Sequence, residues 1–154
     1  MACPYFMPVA RLEDGAWPHP GRLPLGCGWS GHCTAPGHEG EVPTREAQEE
    51  FCNLGYAASC GRLPRERAWD AVRFAVSVDK QTNGSDIPGN RSIHLEYVCE
   101  FGHRPKDHGK LEFDGLAMKW VRRHSDSRVQ KMAECFLETH LARRKTQAVD
   151  GSAS

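Results

Sequence analysis

The sequence predicts an α+β fold in which a loop-rich, metal-binding N-terminal lobe packs on an antiparallel β-hairpin sheet and a C-terminal helix. Three observations predict it: prolines and cysteines gather before residue 60, apolar and polar residues alternate from about residue 70, and apolar residues recur at helical spacing after residue 128. A chain of 154 residues is long enough for one such domain with its own core. We therefore expect a cysteine-rich lobe over residues 1–64, a hairpin and helix over 65–145 and a disordered tail over 146–154, together forming one compact domain.

The first 60 residues contain seven of the ten prolines and five of the seven cysteines. Because proline interrupts helices and strands, such a segment buries little apolar surface in regular layers. We therefore expect a bound metal to stabilise its fold. One short helix is predicted, capped by Thr44 and ending near Gly55. This helix places Cys52 at its end and Cys60 on the loop beyond it.

In the remainder of the chain, apolar residues recur at the spacings typical of strands and helices. Alternation over residues 72–78 and again over 93–101 predicts two strands that pair as an antiparallel hairpin, with a turn over 82–90. A third short strand is expected over 110–113. A helix capped by Ser125 or Ser127 should follow and lie across the sheet. Its apolar stripe consists of Val129, Met132, Ala133, Phe136, His140 and Leu141.

The cellular compartment can be predicted from the N-terminal residues and from the lengths of the apolar runs. The first residues carry no basic segment typical of a signal peptide, and no apolar run approaches the roughly 20 residues that cross a bilayer. We therefore expect a cytoplasmic protein with no membrane partner. Reducing conditions in the cytoplasm favour metal ligation or buried thiols over disulfides, and an odd number of cysteines agrees with this.

Four thiolates that converge can hold either a tetrahedral zinc ion or a four-iron, four-sulphide (4Fe-4S) cluster. The candidate ligands are Cys3, either Cys27 or Cys33, Cys52 and Cys60. The absence of any CxxC motif argues against a zinc ribbon and against the usual ferredoxin run. A cluster accepts ligands from more widely separated segments than one ion does, so we favour iron–sulphur and keep zinc as the alternative.

The chain contains the strings Cys3-Pro4-Tyr5-Phe6, Leu23-Pro24-Leu25-Gly26, Gly31-His32-Cys33, Cys52-Asn53-Leu54-Gly55-Tyr56-Ala57 followed by Cys60, Asp70-Ala71-Val72-Arg73-Phe74 and Val129-Gln130-Lys131-Met132-Ala133-Glu134. Together these strings resemble a small group of uncharacterised, cysteine-rich bacterial proteins that has no known activity. The resemblance spans most of the chain. It implies that Cys3, Cys33, Cys52 and Cys60 are the ligands, with Cys27 as an alternate.

Two hypotheses involve a metal. In the first, the cluster serves electron transfer, redox sensing or structural support, and the partner is an unidentified protein or redox partner. In the second, a structural zinc module presents the basic C-terminal half to nucleic acid or to a protein. The net charges are about −4 for residues 1–60 and +4 for the remainder. The possible nucleic-acid contacts are Lys119, Trp120, Arg122 and Arg123.

Residues 103–109 are expected to form a polar loop between strands. The third hypothesis is an enzyme that uses His103, Asp107 and His108 of this loop, because two imidazoles and a carboxylate can shuttle protons. No nucleophile accompanies them, so it ranks last and no catalytic residue is assigned. Among the remaining cysteines, Cys99 lies on the apolar face of its strand and is expected in the core. Cys135 falls beyond the helix stripe and is expected to be partly exposed.

Overall fold

The computed structural model describes residues 2–12, 23–77 and 92–151, with side chains described through residue 146. Within these ranges it has two antiparallel sheets and a long C-terminal helix, which confirms the α+β prediction. The elements in chain order are β1 (Phe6–Arg11), β2 (Trp29–Cys33), α1 (Arg45–Ala47) continued by a π-helical turn (Gln48–Cys52), β3 (Ala71–Ser77), β4 (Ser92–Phe101), β5 (Arg104–Asp114), β6 (Lys119–Arg122) and α2 (Ser127–Gly151).

The smaller sheet, β1 paired with β2, was not predicted. Its antiparallel register places Phe6 opposite Cys33, and a bulge follows Pro8. At Gly31 a Cβ would lie 2.0 Å from the carbonyl oxygen of Met7, so only glycine fits between the two strands. Proline and glycine are both rare inside strands, and their presence hid this hairpin from the sequence patterns.

The larger sheet has the order β3-β4-β5-β6. The predicted hairpin of β3 and β4 is present, with Ala71 opposite Glu100 and Ser77 opposite His94, and the predicted turn over 82–90 lies outside the described residues. The third strand differs from the prediction because it begins at Arg104 rather than near residue 110. The segment 103–109, expected as a loop, is therefore mostly strand that follows a tight turn.

Helix α2 packs against both sheets. One core cluster joins Phe6 and Trp29 of the small sheet to Val72 of the large sheet and Met132 of the helix. A second cluster packs the helix on the inner face of β4 and β5. Cys135 belongs to the first cluster and is 2% exposed, so the expectation of partial exposure is wrong. The helix buries a second face because the unpredicted small sheet covers it.

The ends of α2 also differ from the prediction. Asp126 caps the helix instead of either serine, since its Oδ1 accepts the backbone N–H groups of Arg128 and Val129 at 2.9 and 3.3 Å. The helix continues to Gly151, into the segment expected as a disordered tail. In the described part of the chain, no helix combines the length and apolarity needed to cross a membrane.

Candidate metal centre

Four cysteines from four separate segments line one cavity in the N-terminal lobe. They are Cys3, Cys33, Cys52 and Cys60, and the remaining lining is largely apolar, with Phe6, Phe51 and Leu63 among it. These are the four cysteines that the resemblance implied. The alternate, Cys27, does not line the cavity, and its sulphur lies 3.5 Å from the hydroxyl of Thr139 on α2.

The pairing of β1 with β2 decides between Cys33 and Cys27. Because Cys33 lies opposite Phe6, it is brought beside the turn that carries Cys3. Cys27 precedes the other end of β2, where Leu12 donates its backbone N–H to Gly28 at 2.9 Å. Six residues of extended chain span about 20 Å. A strand pairing that the sequence did not predict therefore separates the two candidates.

Cys3 is held by a turn. The backbone N–H of Phe6 donates to the Cys3 carbonyl at 3.1 Å, and Pro4 fills the second position of this turn, which suits its fixed φ. The backbone N–H of Cys3 donates to the carbonyl of Cys52 at 3.0 Å, so these two of the four cysteines are linked directly through the main chain. Backbone N–H groups of Tyr5 and Phe6 also face the Cys3 sulphur.

Cys33 is the last residue of β2, and the loop that follows it folds back and forms hydrogen bonds with the Cys33 backbone. Its backbone N–H donates to the carbonyl of Glu41 at 2.8 Å, and Gly40 donates to the Cys33 carbonyl at 2.9 Å. The backbone N–H of Ala35 donates to the Cys33 sulphur at 3.4 Å. The loop thus fixes Cys33 and prepares its sulphur to act as a ligand.

Cys52 and Cys60 flank a short connection. Cys52 is the last residue of the π-helical turn, and Thr44 caps the preceding α1, as predicted. Cys60 lies in consecutive turns, with its N–H donating to Ala57 at 2.9 Å and its carbonyl accepting from Leu63 at 3.1 Å. The backbone of each residue is therefore fixed by local main-chain hydrogen bonds.

The spacing of the four sulphurs bears on the size of the group that they can hold. Among the residues described, no three of these sulphurs lie within 4.8 Å of one another. A tetrahedral zinc ion with Zn–S bonds of about 2.3 Å would bring its sulphurs to about 3.8 Å from each other. As they stand, the sulphurs are therefore too far apart for one zinc ion to contact three of them.

The thiols also interact electrostatically. Burial, with smaller contributions from the neighbouring Cys33 and Cys60, raises the pKa of Cys3 to about 11, although the N–H groups of Tyr5 and Phe6 act in the opposite direction. Burial raises the pKa of Cys52 to about 12, again with contributions from the other three sulphurs. A cation bound between the sulphurs would oppose these effects and lower the pKa of Cys3 and Cys52.

A second group of ligand-type side chains escaped the sequence patterns. The side chains of Cys99, Asp107 and His124 place ligand atoms within 4.8 Å of one another, and His124 Nε2 lies 3.6 Å from Asp107 Oδ2. His124 Nδ1, however, accepts the backbone N–H of Asp126 at 2.9 Å. A metal on Nε2 would require a proton on Nδ1, which would then face that N–H. The hydrogen bond at Nδ1 therefore argues against a metal ion at this group.

The three residues of the enzyme hypothesis do not converge. His103 stacks on the ring of Tyr56 at 4.1 Å. Asp107 and His108 are consecutive residues of β5, so their side chains point to opposite faces of the sheet. Asp107 faces His124 while His108 is exposed. The proton-shuttle hypothesis therefore has no shared cleft in the described structure.

The four possible nucleic-acid contacts lie on and just after β6. Trp120 packs edge-on against Phe113 at 5.3 Å, which makes its ring part of the core rather than a free stacking surface. Lys119 and Arg122 are exposed but pair across the ladder with Asp114 and Glu112. The guanidinium of Arg123 lies 3.7 Å from Glu134. Acidic neighbours therefore offset much of this positive charge.

Comparison with known proteins adds no family assignment. No protein-family model, curated protein or solved structure matches the chain. The class of site is therefore defined by its donor atoms, which are four cysteine sulphurs around one largely apolar cavity. Soft donors of this kind suit zinc or an iron–sulphur cluster.

Proposed function

We propose that Cys3, Cys33, Cys52 and Cys60 bind a four-iron, four-sulphide cluster that exchanges one electron with a protein redox partner. The observation that carries the proposal is that four cysteines from separate segments line one largely apolar cavity. The same four residues form the ligand set implied by the resemblance to the bacterial cysteine-rich group. A cytoplasmic location, where free thiols stay reduced, is part of the proposal.

Electron transfer is favoured over catalysis by the number of ligands. A four-iron cluster takes one thiolate per iron, so four protein ligands leave no position at which a substrate can bind. Phe6, Phe51 and Leu63 in the cavity wall exclude water, which protects such a cluster. The N–H of Ala35 donates to the sulphur of Cys33 and thereby favours the reduced state.

The proposal also gives the cluster a structural role. Its ligands come from the N-terminal turn, the end of β2, the π-helical turn and the loop over 57–63, so a bound cluster would join four segments of the lobe. Binding energy at four thiolates becomes folding energy for these segments, because an unfolded chain does not preform the site. Reversible bleaching by dithionite distinguishes a redox-active cluster from a purely structural one.

The test compares wild-type protein with Cys52→Ala and Cys27→Ala after anaerobic purification. We expect brown wild-type protein with visible thiolate-to-iron absorption, loss of most iron in Cys52→Ala, and full retention in Cys27→Ala. Cys27 is the matched control because it is a half-buried cysteine of the same lobe that lies outside the cavity. Far-ultraviolet circular dichroism checks that each variant folds. A colourless wild-type protein with one zinc ion, or equal iron loss in both variants, would overturn the proposal.

A further inference from the structure

One cationic side chain lies at the same cavity as the four cysteines. Arg62 contributes to the cavity wall and is 32% exposed, so it stands where the cavity meets solvent. Its guanidinium is within electrostatic range of the sulphurs of Cys33, Cys52 and Cys60. A change of charge inside the cavity therefore changes its electrostatic interaction energy with Arg62.

The position of Arg62 is fixed by Glu41. The Nε of Arg62 donates to Glu41 Oε2 at 2.8 Å, and the same oxygen lies 3.1 Å from His38 Nδ1. The carbonyl of Glu41 also accepts the backbone N–H of Cys33. The ion pair thus joins the loop that follows Cys33 to the loop that carries Cys60. It places one positive and one negative charge beside the proposed cluster.

We propose that Arg62, positioned by Glu41, sets the reduction potential of the cluster bound at the four cysteines. This inference rests on the proposed function. Reduction transfers one electron from the partner protein to the cluster and adds one negative charge to a site that already carries thiolates. A nearby cation stabilises the reduced state and raises the potential, and the effect is stronger beside an apolar wall than in bulk water.

Substitutions at the two residues of the ion pair should shift the reduction potential in opposite directions. Arg62→Gln removes the positive charge, so the potential should shift to a lower value. Glu41→Gln removes the opposing negative charge while its amide oxygen can still accept from Arg62, so the potential should shift to a higher value. Arg62→Lys keeps the charge and should stay nearer to wild type. Arg65→Gln is the matched control because Arg65 is exposed and is not part of the cavity wall.

The experiment is an anaerobic dithionite titration of each full-length, cluster-loaded protein, followed by visible absorption after its iron content is measured. We expect a lowered potential for Arg62→Gln, a raised one for Glu41→Gln and an unchanged one for Arg65→Gln. Equal potentials for Arg62→Gln and Arg65→Gln would overturn the inference. If Arg62→Gln loses its cluster, an unchanged potential in Glu41→Gln overturns it instead. Absence of an iron cluster from wild-type protein would refute the proposed function itself.

Discussion

At the scale of single residues, Asn53 determines where the third ligand lies. Its side chain is 1% exposed and makes three hydrogen bonds to buried backbone groups. Oδ1 accepts the N–H of Trp29 at 3.0 Å, and Nδ2 donates to the carbonyls of Trp29 and Gln48 at 3.0 and 2.9 Å. Asn53 therefore ties the π-helical turn, which ends at Cys52, to the start of β2, which ends at Cys33.

Replacement of Asn53 by alanine should be strongly destabilising. It leaves one buried N–H and two buried carbonyls without this partner, so we expect the free energy of unfolding to fall by about 3 kcal/mol. Urea-induced unfolding of the anaerobically purified protein measures the change. Ser30→Ala is the control, because that hydroxyl makes one exposed hydrogen bond to Ala10 at 3.3 Å and should contribute about 0.5 kcal/mol. Similar losses in both variants would refute this role for Asn53.

At the scale of elements, the N-terminus of α2 is organised by a small hydrogen-bond network. Asp126 caps the helix, its own N–H donates to His124 Nδ1, and the N–H of His124 donates to Gln130 Oε1 at 2.8 Å. Burial would raise the pKa of Asp126, but hydrogen bonds from the Arg128 side chain and backbone outweigh it and hold the pKa below its usual value. The ionised carboxylate is therefore the stabilising form.

Asp126→Ala should lower the free energy of unfolding by about 1–2 kcal/mol at pH 7. A carboxylate whose pKa is lower when folded stabilises the fold above its unfolded pKa, near 3.8, and this contribution disappears as the pH falls further. The difference from wild type should therefore shrink below about pH 4. Asp126→Asn keeps a hydrogen-bond acceptor, so it should lower the free energy of unfolding by less than Asp126→Ala does at pH 7. Thermal unfolding of all three proteins at each pH checks this, and a difference that does not vary with pH would contradict it.

The elements that sequence patterns predicted are those whose apolar residues recur at a regular period. Alternation identified β3 and β4, and helical spacing identified α2. The small sheet was missed because β1 contains Pro8 and β2 contains Gly31. The first half of β5 was missed because it extends beyond the core, where its residues are mostly exposed and show no apolar alternation.

At the scale of the whole molecule, the cavity is a product of tertiary contacts. Residue chemistry predicted cysteine ligation in the N-terminal lobe but left Cys27 and Cys33 as alternatives, since local periodicity says nothing about which distant segments meet. The β1–β2 register brings Cys33 to the turn of Cys3, and α2 contributes the environment of Cys27. The lobe is also not independent, because its core cluster includes residues of the large sheet and of α2.

The most direct test of the central claim is the content of iron, zinc and acid-labile sulphide per chain in wild-type protein purified without oxygen. If the four thiols surround a cluster, about four iron atoms and four sulphides should be found per chain, with no stoichiometric zinc. About one zinc ion per chain and no sulphide would contradict the account, because the sulphurs would then have to close to the spacing of a single tetrahedral ion.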